Sequence, residues 1–268
     1  MRNSFLGILS ILAITSCTKV IDIDLNSADP QYVIEAEITN EIQSCRVKIS
    51  RSVNFSESND FPTVSGAIVN IKDNLGNTEN LSEIAAGIYE SKTLKGIPGR
   101  TYFLSIQHDG KVFSSQSTMP ELVTLLEIDF IKNGGFGGGG PGADTSARFT
   151  AVPLYNDPAG VKNFYRFEQS VNGKRDLSIL VRNDNLSDGK QTVQPLFSFG
   201  NEILRGDTLQ IQMQCIDNAV YEYFYSLNAS SGNGPGGGTT PSNPVNNISG
   251  ALGYFSACSV SEKEVIVN

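Results

Sequence analysis

In the stretch GDTLQIQMQCID, Gly206 to Asp217, apolar Leu209, Ile211, Met213 and Cys215 alternate with Gln210, Gln212 and Gln214. Side chains of an extended strand point to opposite faces in turn, so this period fits a half-buried β-strand and no helix. The same period returns along most of the chain, interrupted by Gly, Asn, Asp and Pro. In QYVIEAEIT it sets Tyr32, Ile34, Ala36 and Ile38 against Val33, Glu35 and Glu37, and in SCRVKIS it sets Cys45, Val47 and Ile49 against Arg46 and Lys48. SGAIVNIKDNLGN turns Ala67, Val69 and Ile71 inward and then bends at Asp73 to Gly76. GIYES, RTYFLSIQ and KVFSSQST follow, with turns at Pro98-Gly99 and at HDG. The pattern predicts a mainly β chain.

Six or seven short strands between residues 29 and 120, at this turn spacing, predict a Greek-key sandwich of the immunoglobulin-like or transthyretin-like kind. Residues 121–268 predict a second β-rich domain: TLLEIDFIK, SARFTAVPL, an Asn172-Gly173 hairpin, GDTLQIQMQCID and a closing strand in ISGALGYFSACSVSEKEVIV. One helix is expected, at AVYEYFYSLNA. Val220, Phe224 and Leu227 recur there at helical spacing, and Asp217 and Asn218 offer capping oxygens. Gly-rich loops at 133–142 and 230–247 have too little apolar surface to fix themselves and are expected to be mobile.

Upstream, Arg2 and the apolar run Phe5 to Ile14 form a positive start and a core too brief to span a bilayer, which is a signal-peptide pattern over residues 1–16. Ile14, Thr15, Ser16 and Cys17 then resemble the bacterial lipobox. That resemblance implies cleavage before Cys17, diacylglycerol on its thiol, palmitate-like acylation of its amine and a lipidated tether over 17–28. Several acyl chains at about 0.8 kcal/mol per buried methylene would make release from a membrane negligible. Surface export of such lipoproteins is associated with acidic residues just after the cysteine. Here Lys19 comes first and Asp22 and Asp24 follow, so the expected location is the outer membrane, facing outward, with the periplasmic face as the alternative.

Composition excludes several functions. The chain holds 20 basic and 28 acidic residues with net charge −8, and removing Arg2 with the leader makes it more acidic. Nucleic acid is therefore not an expected partner, since its binding rests on Lys and Arg neutralising phosphate. Cys45 and Cys215 sit on apolar strand faces and read as buried thiols; if a pair oxidises after export, Cys215 and Cys258 are the candidates. No Cys/His cluster has metal-ligand spacing, so no metal and no cofactor is expected.

The chemical motifs fail on context. Gly135 to Gly140 and Gly232 to Gly237 spell G-x-G-x-x-G, yet neither opens a helix within a βαβ unit. The sole histidine, His108, lies in QHDGK, where Asp109-Gly110 already specifies a turn, and no G-x-S-x-G elbow exists. NDNLSDGK, Asn183 to Lys190, matches a calcium loop at Asp184, Asp188 and Gly189. Leu186 takes a ligand position and Pro195 stands where the closing glutamate belongs, so a turn or hairpin is expected. No enzyme is expected, and a hydrolase working through two carboxylates trails the other readings. The candidate contact residues are Tyr221, Tyr223 and Tyr225 on the helix and Tyr254 in GALGYFSA, because tyrosine supplies rigid area with a polar tip. Phe224 and Phe255 are expected in the core.

KISRSVNF, DPAGVKNFYRF, VNG, GDTLQIQ, the Tyr-rich helix and NPVNNISGALGYFSA, read with the lipobox, resemble an uncharacterised Bacteroidota lipoprotein family, domain of unknown function 4249. Members are often encoded near TonB-dependent outer-membrane receptors. The resemblance implies a non-enzymatic binding or accessory lipoprotein beside a nutrient transporter; the alternative is a structural or adhesive surface protein with the sandwich as spacer.

Overall fold

The computed structural model describes residues 29–42, 45–54, 60–132, 148–198, 200–230 and 243–268. The leader, Cys17, the tether, the loop at 133–142, residues 231–242 of the second loop and both G-x-G-x-x-G strings lie outside the described residues.

In chain order the strands are β1 (Tyr32–Thr39), β2 (Arg46–Arg51), β3 (Ile68–Asp73), β4 (Thr78–Asn80), β5 (Ser82–Ala85), β6 (Ile88–Glu90), β7 (Thr101–His108), β8 (Lys111–Thr118) and β9 (Glu127–Lys132). They continue with β10 (Arg148–Asn156), β11 (Phe164–Val171), β12 (Lys174–Arg175), β13 (Leu180–Asn183), β14 (Gln191–Thr192), β15 (Ile203–Leu204), β16 (Thr208–Ile216), β17 (Ile248–Ser249) and β18 (Leu252–Ile266). Helix α1 (Asn218–Ser230) falls between β16 and β17.

The chain is mainly β. In its first part β1, β2, β6 and β5 lie side by side in one layer, and β17, β8, β7, β3 and β4 form the other. Taken in chain order, that is the strand arrangement of an immunoglobulin-like sandwich. Ile34, Ile38, Val47, Ile71, Leu104 and Ile106 fill the space between the layers. Burying side chains of this size contributes about 1.5–3 kcal/mol each. Tyr32, Ile34, Ala36 and Ile38 are all buried while Arg46 and Lys48 stay in water, as the period requires. The HDG turn forms with Asp109 and Gly110 both at positive φ, joining β7 to β8.

A second layered unit follows. β11, β16 and β18 continue the large sheet, and β9, β10, β14 and β15 form a four-stranded sheet, with Tyr165, Phe167, Leu209, Ile211 and Met213 among the residues between them. The closing strand joins the two parts. Leu252 to Cys258 run parallel to β1, and Ser259 to Ile266 run antiparallel to β16, so β18 stands inside a nine-stranded sheet. Parity along β18 separates the faces. Phe255 and Ala257 point inward, while Tyr254, Cys258 and Val260 point to the outer face, where α1 lies.

One expectation needs correcting, and the cysteines follow the buried-thiol reading with the conditional bridge set aside. Gln214 is 1% exposed, because α1 covers part of the outer face that the alternation assigns to water. Cys215 and Cys258 are free, buried thiols: Cys215 pairs across the ladder with Ser259, which sends Cys258 to the opposite side of the sheet. No bridge between the pair is possible there, since their Cβ atoms diverge.

Candidate functional site

Asp217 fixes the helix start. Its Oδ1 accepts the Val220 N–H at 2.9 Å, and its Oδ2 accepts the Ser117 hydroxyl at 2.7 Å and the Thr118 N–H at 3.1 Å. One carboxylate therefore caps α1 and docks it to β8 of the first sandwich. Val220 and Phe224 then face the sheet and are buried, with Leu227 partly so, as the helical spacing predicts; Phe255 is buried in the first core.

The four tyrosines lie on the outer face in two ring groups, Tyr223 with Tyr254 and Tyr221 with Tyr225. Tyr223 lies 5.1 Å from Tyr254, ring centre to ring centre, and Phe224 lies 4.8 Å from Tyr254. Tyr221 stacks on Tyr225 at 5.6 Å and meets Phe164 at 5.0 Å, and its hydroxyl accepts the Asn183 amide at 3.2 Å. Tyr221 is buried, Tyr223 and Tyr254 are half-buried, and Tyr225 is 56% exposed. Burial pushes the phenols of Tyr221, Tyr223 and Tyr254 above the ordinary range, so at neutral pH all three are uncharged donors.

Beneath the rings is an ionic network that sequence reasoning missed. The Arg166 guanidinium stacks on Phe224 at 4.2 Å, donates to Gln214 Oε1 at 2.9 Å, and pairs with Glu168 at 2.5 Å and Glu37 at 3.5 Å. Arg175 shares Glu168 at 2.6 Å. Burial opposes the charge on Arg166, but the Glu168 and Glu37 carboxylates outweigh it and hold the guanidinium charged. Burial also raises the Glu37 carboxyl, against the pull of Arg166. The available signal was the placement of Phe164, Ile216 and Tyr254 on the nominally polar side of their strands: a face that mixes aromatic and charged residues needs a cover. Chemically the surface is a rigid aromatic shelf with neutral polar tips, and the Cys258 thiol beneath it is pushed far up by burial, which leaves it unreactive.

The remaining candidates fall elsewhere. The His108 ring meets the Tyr32 hydroxyl at 2.9 Å and Asp109 at 3.4 Å, within the β7–β8 turn. Asn183 to Lys190 is a turn, but its flanking strands β13 and β14 pair with β11 and β10, so it crosses between sheets and closes no hairpin. It also brings Asp184 and Asp188 beside Asp157. Among the described residues no helix is long and apolar enough to cross a membrane.

NPVNNISGALGYFSA, one of the strings that carry the family resemblance, has a clear structural role. Asn247 exchanges two hydrogen bonds with the Phe255 backbone, at 2.7 and 2.8 Å, and Asn246 accepts from Gly253 at 3.0 Å. The string folds back on itself at the start of β18.

The model of a family described as "Domain of unknown function (DUF4249)" matches residues 18–264. No curated protein matches the chain. Among solved structures, a two-domain fibronectin type-III segment from chicken tenascin is similar, at 12% identity and a TM-score of 0.23, covering 70% of this chain and 91% of that one. With a score that low, the fold stands on the strand order described above.

Proposed function

The chain belongs to the DUF4249 family, and from that premise we propose that it is a lipoprotein anchored in the outer membrane through acylated Cys17. It faces the cell surface and serves as a non-enzymatic binding or accessory component beside a TonB-dependent nutrient transporter. The aromatic shelf carries the reading: Tyr221, Tyr223, Tyr225 and Tyr254 gather on one side of the nine-stranded sheet, with Tyr225 open to solvent. Rigid aromatics with polar tips are what partner-binding surfaces concentrate, and truncating one at an interface centre typically costs about 2 kcal/mol or more of binding. The family match also begins at residue 18, directly after Cys17.

Two measurements test this. Mass analysis of protein from the native host should find diacylglycerol on Cys17, and Cys17→Ser should release the chain from the membrane. Gentle-detergent purification should bring down an outer-membrane β-barrel, and Tyr225→Ala should weaken that association without lowering Tm. A chain that purifies alone would instead match the spacer or adhesin reading.

A further inference from the structure

Asp157 follows β10 and Asp184 follows β13, strands on opposite sheets of the second unit. With Asp188 they place three carboxylates so close that one oxygen from each lies within 4.8 Å of the others. Asp157 and Asp184 are only 5% and 4% exposed. Among the described residues no Lys, Arg or His forms an ion pair with any of the three. Neutral donors orient them instead. The Tyr165 hydroxyl donates to Asp157 at 2.5 Å and the Gly189 N–H at 3.4 Å; the Asn163 N–H donates to Asp184 at 2.7 Å, and the Gly160 N–H to Asp188 at 2.7 Å. Buried like charges without a counter-charge are strongly unfavourable.

Asn163 is the second observation. It is 8% exposed, and its Oδ1 has no hydrogen-bond partner. The ladder that pairs Phe164 with Asn183 continues by one step, through the Asp184 N–H to the Asn163 carbonyl at 3.2 Å. Asn163 therefore stands opposite Asp184, and both side chains leave the ladder on the same side. Tyr165, two residues on, uses that side to reach Asp157. An orphaned buried acceptor thus stands on the side of the ladder that Asp184 and Tyr165 use, the side of the three carboxylates, which is the arrangement a cation completes.

We propose that Asp157, Asp184, Asp188 and the Asn163 side-chain oxygen form a calcium site. All four donors are hard oxygens from short side chains, with no His or Cys to favour zinc or copper. The Tyr165 hydroxyl orients a ligating carboxylate from behind. The linear loop fails as an EF-hand because Leu186 fills a ligand position. The fold replaces the missing ligands with Asp157 and Asn163. The ion would tie β10 to β13 across the two sheets, and through Asn183 it would steady the hydroxyl of Tyr221.

The test uses the full chain in detergent, stripped with EDTA and returned to chelator-free buffer. The protein has no Trp, so tyrosine-sensitised terbium luminescence reports an ion held near Tyr165. One equivalent of terbium should bind and be displaced by calcium, and calcium should raise Tm with a midpoint of about 0.1–1 mM, the range of extracellular modules. Asp188 is exposed, so Asp188→Asn should fold normally, keep its Tm in EDTA and lose at least about tenfold in calcium affinity; Asn163→Ala should weaken binding too. No calcium-dependent shift at about 10 mM, tighter zinc than calcium binding, or wild-type affinity in Asp188→Asn would each overturn the proposal.

Discussion

Cys215 and Cys258 stand on neighbouring strands one residue out of step, so their thiols face opposite sides of one sheet. Oxidation cannot join them without breaking the β16–β18 ladder. Burial raises both thiols, and with Cys45 they should resist alkylation at pH 8 in the native state. Unfolding should expose all three to iodoacetamide, with no disulfide-linked peptide in non-reducing digests. A Cys215–Cys258 peptide would show that β18 pairs differently.

Gly253 lies at φ +110°, where a Cβ would sit 1.9 Å from the Ile34 carbonyl oxygen. That oxygen belongs to backbone and has no room to withdraw, because β1 is held between β2 and β18. Gly253→Ala should therefore cost about 3–5 kcal/mol, combining backbone strain with overpacking. Gly76, also at positive φ, has open space around it, so Gly76→Ala should cost only about 1 kcal/mol. Urea unfolding of the two variants separates the effects.

Asp73 at the end of β3 is 3% exposed and closes the turn to β4. Burial pushes its carboxyl up, but hydrogen bonds from Asn77, Arg100 and Leu75 outweigh this and hold it below the ordinary carboxylate range. The Arg100 contact is 2.6 Å. A carboxyl depressed on folding adds stability above the unfolded value, about 3.9, and loses it as pH falls through the folded one. Asp73→Asn should be about 2–3 kcal/mol less stable at pH 7. The gap should shrink steadily below about pH 4, read from denaturation midpoints across the range.

Such effects were unequally visible in the sequence. Strand faces were legible where one side meets a core and the other water, as in Tyr32 to Ile38, because period two then reports burial directly. The helix was legible for the same reason, with Asp217 marking its start. Gln214 was not, since its burial depends on a helix that arrives from later in the chain. The three aspartates were not either. Asp157 and Asp184 meet only because β10 and β13 end at the same edge of two sheets, a relation that no local spacing records. The double role of β18 is likewise set by tertiary pairing, because nothing in the order of its fifteen residues names the strand that each half pairs with.

Arg166 holds the outer face together, and its removal should be felt in both stability and pH response. Arg166→Met keeps an apolar stem against Phe224 but leaves Glu37 with no ion-pair partner among the described residues and Glu168 with Arg175 alone. Breaking a largely buried pair in this way should cost about 3 kcal/mol. Burial already raises the Glu37 carboxyl with Arg166 present, so in the variant it should rise further. A carboxyl raised on folding holds more protons in the native state than in the unfolded one, so stability falls as pH climbs from the unfolded value toward the folded one. Arg166→Met should therefore lose more stability between pH 5 and 8 than the wild type, and adding Glu37→Gln should flatten the curve. Because Phe224 rests under the guanidinium, the same variant should loosen α1 and raise hydrogen exchange at Tyr223 and Tyr225. Unchanged exchange there, together with a flat pH profile, would assign the network to local solvation and detach it from the tyrosine surface.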